Sequence, residues 1–151
     1  MSNCKQWWLV AASLVLLTPR PGRAGGEEIV VIANKGVAVA FLSRDELRPI
    51  FQTKKNTWPD GTPVRPFNLP HTNASRHGFD AVVLGLDPDR VTRYWIDRKI
   101  RGGERPPQTA PSSALMLKVV ARTAGAVGYV EAAAADASVK VIGRIRDGQV
   151  V

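Results

Sequence analysis

Between Phe41 and Pro70 the order of caps, prolines and apolar residues leaves the backbone few choices. Ser43 followed three residues later by Glu46 forms a capping box, and Leu42 and Leu47 stand where a hydrophobic staple closes the same helix start. A helix is therefore expected to begin near Arg44. Pro49 removes a backbone donor and crowds the preceding turn, which limits the helix to about two distorted turns. Leu47, Ile50 and Phe51 supply its apolar face. After Lys54 and Lys55, Trp58-Pro59-Asp60-Gly61 places proline second and glycine fourth in a type I turn. Val64 to Phe67 then reads as a strand leading into the polar stretch Leu69–Arg76.

The elements on either side follow from periodicity. Ile29–Ala33 is a continuous apolar run of the kind that fills a strand covered on both faces, and Asn34-Lys35-Gly36 ends it. A helix starting near Thr72 to Ser75 carries Phe79, Val82, Val83 and Leu86 at helical spacing and stops at Gly85; Gly78 weakens it. Asp87-Pro88-Asp89 opens the next helix, with Val91, Tyr94 and Trp95 as its buried stripe. Arg101-Gly102-Gly103 ends it. The three prolines and two glycines of Arg101–Pro111 predict an irregular loop, too short for a domain linker. Ser112 or Ser113 then caps a helix bearing Leu115, Met116, Val119 and Val120, which runs to Gly125. Val127–Val130 is a short buried strand, Ala132–Ala135 a helical turn and Val139–Ile142 a last strand. Leu42, Leu47, Phe51, Val82, Val83, Trp95, Val119 and Val127 are expected in one core.

The amino-terminal residues read as a signal peptide, residues 1–24, ahead of a single domain at 25–151. Lys5 gives a positive start, Trp7–Leu17 an apolar core of eleven residues, and Gly22-Arg23-Ala24 a small-x-small cleavage site. That run is too short to span a bilayer, so the mature chain is expected to be periplasmic, without stable membrane insertion. A buried helix or a retained anchor is the alternative. Cys4, the only cysteine, leaves with the leader and excludes a disulfide or thiolate metal site in the mature chain. Three of the 21 basic residues and none of the 13 acidic ones leave with it, which lowers the formal charge from +8 to +5. The remaining cations are scattered and no nucleic-acid motif accompanies them, so no nucleic-acid partner is expected.

Little in the sequence suggests catalysis. His71 and His77 lack companions at metal-ligand spacing. Ser75 lies outside a nucleophile elbow, and the glycines at 125 and 128 lack the nearby lysine of a P-loop. No cofactor and no enzyme activity are expected. Trp58 and Trp95 read as packing residues. What remains is the loop Asn68–Arg76, where amides near Asn73–Arg76 at a helix start, with the hydroxyls of Thr72 and Ser75, suggest an anion site.

Two separated segments, Leu42-Ser43 through Phe51 with Trp58 after it, and Gly125-Ala126-Val127-Gly128-Tyr129-Val130, resemble the phosphate-type periplasmic substrate-binding proteins. The resemblance covers roughly residues 29 to 142 and only about one lobe of a full-length member. It implies an α/β fold, a small mixed β-sheet flanked by helices as in one lobe of a type 2 periplasmic binding protein. It also implies a non-catalytic module binding phosphate or another small oxyanion for ABC-type uptake, with a transporter permease or another periplasmic protein as partner. A structural or protein-interaction module that has lost ligand binding is the alternative. Aligned through Phe67 and Phe79, the resemblance puts Asn68 and Leu69 where the family has arginine and His71 where it has an acid. Asn73-Ala74-Ser75 replaces its Ser-Gly-Thr step. Asn34 resembles a residue at the cleft mouth, with a strand-ending turn as its other reading. Arg76 is either a replacement charge or an exposed helix residue. The implied ligand set is thus Asn34, Asn68, Thr72, Asn73, Ser75 and Arg76.

Overall fold

The computed structural model describes residues 27–151. The expected leader, its cleavage after Ala24 and Cys4 lie outside the described residues. In chain order the elements are β1 (Ile29–Ala33), α1 (Arg44–Phe51), β2 (Arg65–Asn68), α2 (Ala74–Phe79) continued by a π-helical turn (Asp80–Leu84), α3 (Pro88–Gly102), β3 (Gln108–Thr109), α4 (Ser113–Arg122), β4 (Ala126–Glu131), a 3-10 turn (Ala132–Ala134), β5 (Lys140–Arg146) and β6 (Gln149–Val150). The strands form one mixed sheet in the order β3-β2-β4-β1-β5-β6. β1 is antiparallel to both neighbours, whereas β2 runs parallel to β3 and β4. This is the α/β class with a mixed sheet that the sequence implies.

β1 takes a central place because all five of its residues are apolar and buried, so both of its faces can be covered. Directly opposed residues of an antiparallel pair share a face. Val31 opposes Tyr129, and on that side the Tyr129 ring stacks on Phe79 at 3.8 Å and meets Phe51 at 5.8 Å, which seats α1 and α2. Ile32 opposes Gly128 on the other side. A side-chain carbon at Gly128 would come within 2.5 Å of Met116 Sδ, so glycine lets α4 lie close against that face.

The stretch from Phe41 to Pro70 folds as its residues direct. Glu46 accepts hydrogen bonds from the Ser43 amide at 2.8 Å and from its hydroxyl at 2.7 Å, and α1 ends after eight residues with Pro49 inside it. Leu42 and Leu47 are both buried. The Trp58 turn closes through the Gly61 amide and the Trp58 carbonyl at 2.9 Å. The buried indole donates to the Gly125 carbonyl at 2.9 Å, so Trp58 is a packing residue. Gly125 has φ +74°, and a β-carbon there would lie 2.0 Å from the Pro63 carbonyl oxygen; only glycine joins this loop to the start of β4.

Four expectations need correction. α2 stops at Phe79 and widens into the π-turn, which shifts the phase of the buried face. Val83 and Leu84 are therefore buried while Val82 and Leu86 are only partly so. α4, capped by Ser112, buries Met116, Leu117 and Val120. Leu115 is 45% exposed and Val119 half-buried, because that side of the helix borders an open groove beside β3. The loop Arg101–Pro111 contains β3, held to β2 partly by the Ala110 amide on the Asn68 carbonyl at 2.8 Å. β5 extends to Arg146 and turns through Asp147-Gly148, both at positive φ, into β6; the pair has the chemistry of a hairpin turn. Of the expected core, Leu42, Leu47, Phe51, Val83, Trp95 and Val127 are buried in one cluster, whereas Val82 and Val119 lie at its margin.

Candidate functional site

The parallel strands β2, β3 and β4 end at one edge of the sheet, and in open α/β sheets ligands bind beyond such carboxyl ends. Asn68 closes β2 beside Thr109 of β3, and the chain then enters the loop to α2. β1 runs the other way. Asn34, just past its end, therefore lies at the edge where β2 and β4 begin: its amide bonds the Ala126 carbonyl at 2.9 Å. Its side-chain nitrogen donates to the carbonyls of Val120 and Ala121 at 3.0 Å each, tying down the last turn of α4. The structure does not bring Asn34 to the other five residues of the implied set.

Asn68 is buried, and its Oδ1 accepts the Tyr129 hydroxyl at 3.2 Å. That hydroxyl also accepts from the Leu69 amide at 3.3 Å. Burial pushes Tyr129 far above its usual value, helped by the nearby Asp80 charge and opposed by Arg76, so it stays a neutral donor. Asn68 Nδ2 has no hydrogen-bond partner among the described residues.

At the start of α2 the sequence leads one to expect open amides, and the structure closes two of them. Asn73 is the N-cap, and its Oδ1 accepts from Ser75 N at 2.8 Å and Arg76 N at 3.2 Å. Its own amide bonds the Pro70 carbonyl at 2.9 Å. The asparagine cap thus satisfies two of the helix-start donors from within. Besides the His71, Thr72 and Ala74 amides, which have no partner among the described residues, the loop presents side chains: the exposed Thr72 hydroxyl, the Ser75 hydroxyl at its largely buried position, and Asn68 Nδ2.

Arg76 is not the exposed helix residue that its position suggested. It is 7% exposed, with Nε 3.2 Å from Asp80 Oδ2 and Nη1 donating to the Leu69 carbonyl at 2.9 Å. Burial pushes the Asp80 carboxyl above its usual range, although the charge and hydrogen bond of Arg76, and then His77, pull the other way. Sequence reasoning missed Asp80; the signal was the four-residue spacing from Arg76 on one helical face. His77 closes the loop through a hydrogen bond between its Nε2 and the His71 carbonyl.

The Arg76–Asp80 pair lines a cavity of about 300 Å³ that also includes residues of α3 and of the segment leading to β3. A separate groove of about 460 Å³ runs between β3 and α4, with Lys118 and Arg122 on its wall.

No protein-family model and no curated protein matches the sequence. Solved structures match it in fold. The chain is similar to an ABC-type phosphate transport receptor from Vibrio cholerae, with TM-score 0.62 and 17% identity over 77% of this chain and 45% of that one. An ABC-transporter substrate-binding protein from Clostridium perfringens, solved with bound phosphate, gives 0.61 and 19% over 77% and 44%. PstS from Borrelia burgdorferi gives 0.59 and 11% over 77% and 46%. The fold is that of a type 2 periplasmic-binding lobe, and the chain spans less than half the length of these proteins.

Proposed function

We propose that this lobe is a secreted, non-catalytic substrate-binding module that holds phosphate or a related oxyanion at the loop Asn68–Arg76 for ABC-type uptake. The observation that carries the reading is the position of the loop at the carboxyl edge of three parallel strands, in a fold shared with phosphate transport receptors. Asn68 Nδ2 and the hydroxyls of Thr72 and Ser75 are the donors for the anion, with the Arg76 charge behind them. Asn73 shapes the loop and gives up its oxygen to the helix start, so it contributes through its cap. Asn34 serves the fold at the opposite edge.

Such a site is weak when alone. With the Ser75 and Arg76 amides taken by the Asn73 cap and no bidentate arginine facing the ligand, one lobe leaves the anion half-hydrated. The expected affinity is about 1 mM, or roughly −4 kcal/mol, until a permease or another periplasmic protein closes over it. Export rests on the leader at 1–24; among the described residues no helix is long and apolar enough to cross a membrane. The alternative, an interaction module without a ligand, draws support from the Ser75 and Arg76 amides already taken by Asn73 and from Ile96 and Ile100, which stand exposed on α3. Calorimetric titration with phosphate and sulfate separates the two. Weak saturable binding that Ser75→Ala reduces supports the first reading, and no heat with either anion favours the second.

A further inference from the structure

The cavity behind α2 has a charged end and an apolar body. At the charged end Arg76 uses Nε and Nη1, and Asp80 uses Oδ2, for contacts inside the protein. Arg76 Nη2 and Asp80 Oδ1 have no partner among the described residues, and neither is sealed away, since the one fully buried unpartnered side-chain atom among those residues is Tyr94 Oη, outside this cavity. Both residues line the cavity. Val91, Trp95, Ile96, Pro106 and Pro107 supply the apolar part of its wall, and His71, His77, Thr92 and Thr109 also line it. One ion pair in the cavity lining thus keeps an open donor on its cation and an open acceptor on its anion.

We propose that this cavity is a second binding site, for a small zwitterion with an apolar side chain, an α-amino acid of the leucine kind. Its ammonium meets Asp80, its carboxylate meets Arg76, and its side chain lies between Trp95 and the two prolines. A simple anion would bring its charge against Asp80, and a simple cation would meet Arg76. A ligand carrying both charges answers both groups at once with charge-assisted contacts. The volume, about 300 Å³, is at the lower bound of small-molecule sites, roughly 300–1,000 Å³. The amino group also supplies the second donor that the buried Asp80 carboxylate lacks, which offsets the cost of keeping that charge out of water. The site does not depend on oxyanion binding by the loop.

Calorimetric titration of the purified protein with L-leucine, isocaproate, isoamylamine and glycine tests this. Leucine should bind more tightly than either half-ligand by about tenfold or more, one charge-assisted hydrogen bond contributing roughly 1.5–3 kcal/mol. Glycine, without the apolar body, should bind more weakly than leucine. Asp80→Asn should abolish the preference for leucine over isocaproate. Because that substitution touches a buried pair, Ile96→Trp is the second variant: position 96 is 54% exposed, so the fold tolerates the ring, which fills the cavity mouth and removes leucine binding. Isocaproate binding as tightly as leucine, no leucine binding, or leucine binding unchanged in Ile96→Trp would each overturn the proposal. Phosphate displacing leucine would overturn the claim of two sites, while phosphate bound alongside leucine supports it. Failure with leucine leaves the phosphate titration untouched, so the two readings fail separately.

Discussion

Removing the guanidinium of Arg76 would leave Asp80 as a buried, unpaired carboxylate, because the two meet at 3.2 Å with each side chain less than a tenth exposed. Arg76→Ala is therefore expected to cost about 3–5 kcal/mol in denaturant unfolding. A loss below about 1 kcal/mol, the usual size of an exposed pair, would contradict that. Tyr94 points the other way: its buried hydroxyl has no partner among the described residues. Tyr94→Phe should be neutral or stabilise by up to about 1 kcal/mol, because a desolvated group disappears with no bond lost. Marked destabilisation would reveal a partner for that hydroxyl. At this scale the sequence was partly legible. Asn73 has the residue type of an N-cap, and from that alone its capture of the Ser75 and Arg76 amides could have been foreseen. The burial of Arg76 could not. It depends on α3 and the segment before β3 closing over the pair, which no local pattern around residue 76 encodes.

The best-specified element is α1, where cap, staple and proline agree. Leu47 is fully buried on its inner face, and Leu47→Ala should lower stability by about 2–5 kcal/mol in urea or guanidinium. A change of a few tenths would mean that the helix is loosely held. The start of β1 is tied to β5 by Glu28, whose carboxylate lies 3.1 Å from both Arg144 and Arg146. The two hydrogen bonds hold Glu28 below its ordinary 4.5. The sign follows: a carboxylate with a lowered folded-state value stabilises above its unfolded value and loses that contribution as pH falls through the folded one. Glu28→Gln should thus be slightly less stable at neutral pH, with the difference fading below pH 4.5; unfolding curves across that range, if parallel, contradict it. Helix phase was harder to read than helix existence. The π-turn after Phe79 and the open groove beside α4 each moved the buried stripe by a residue, and both depend on tertiary packing. β3, two residues beside prolines, owes its existence to β2.

At the scale of the whole molecule, strand direction decides what can cooperate. The class and the mixed sheet were legible through the resemblance carried by Leu42–Phe51 and Gly125–Val130, and the apolar run at β1 marked a strand covered on both faces, but strand order was not legible, since it records contacts between distant segments. That order puts Asn34 at one edge and Asn68 at the other. The chain spans less than half the length of its solved structural relatives. The most direct test of the central claim is a nuclear magnetic resonance titration of the isotope-labelled protein with phosphate, following backbone and side-chain amides. Shifts are expected to saturate in the millimolar range, around −4 kcal/mol, confined to Asn68–Arg76 and including the Asn68 side-chain amide. Shifts centred instead on Asn34, or on the groove with Lys118 and Arg122, would contradict it.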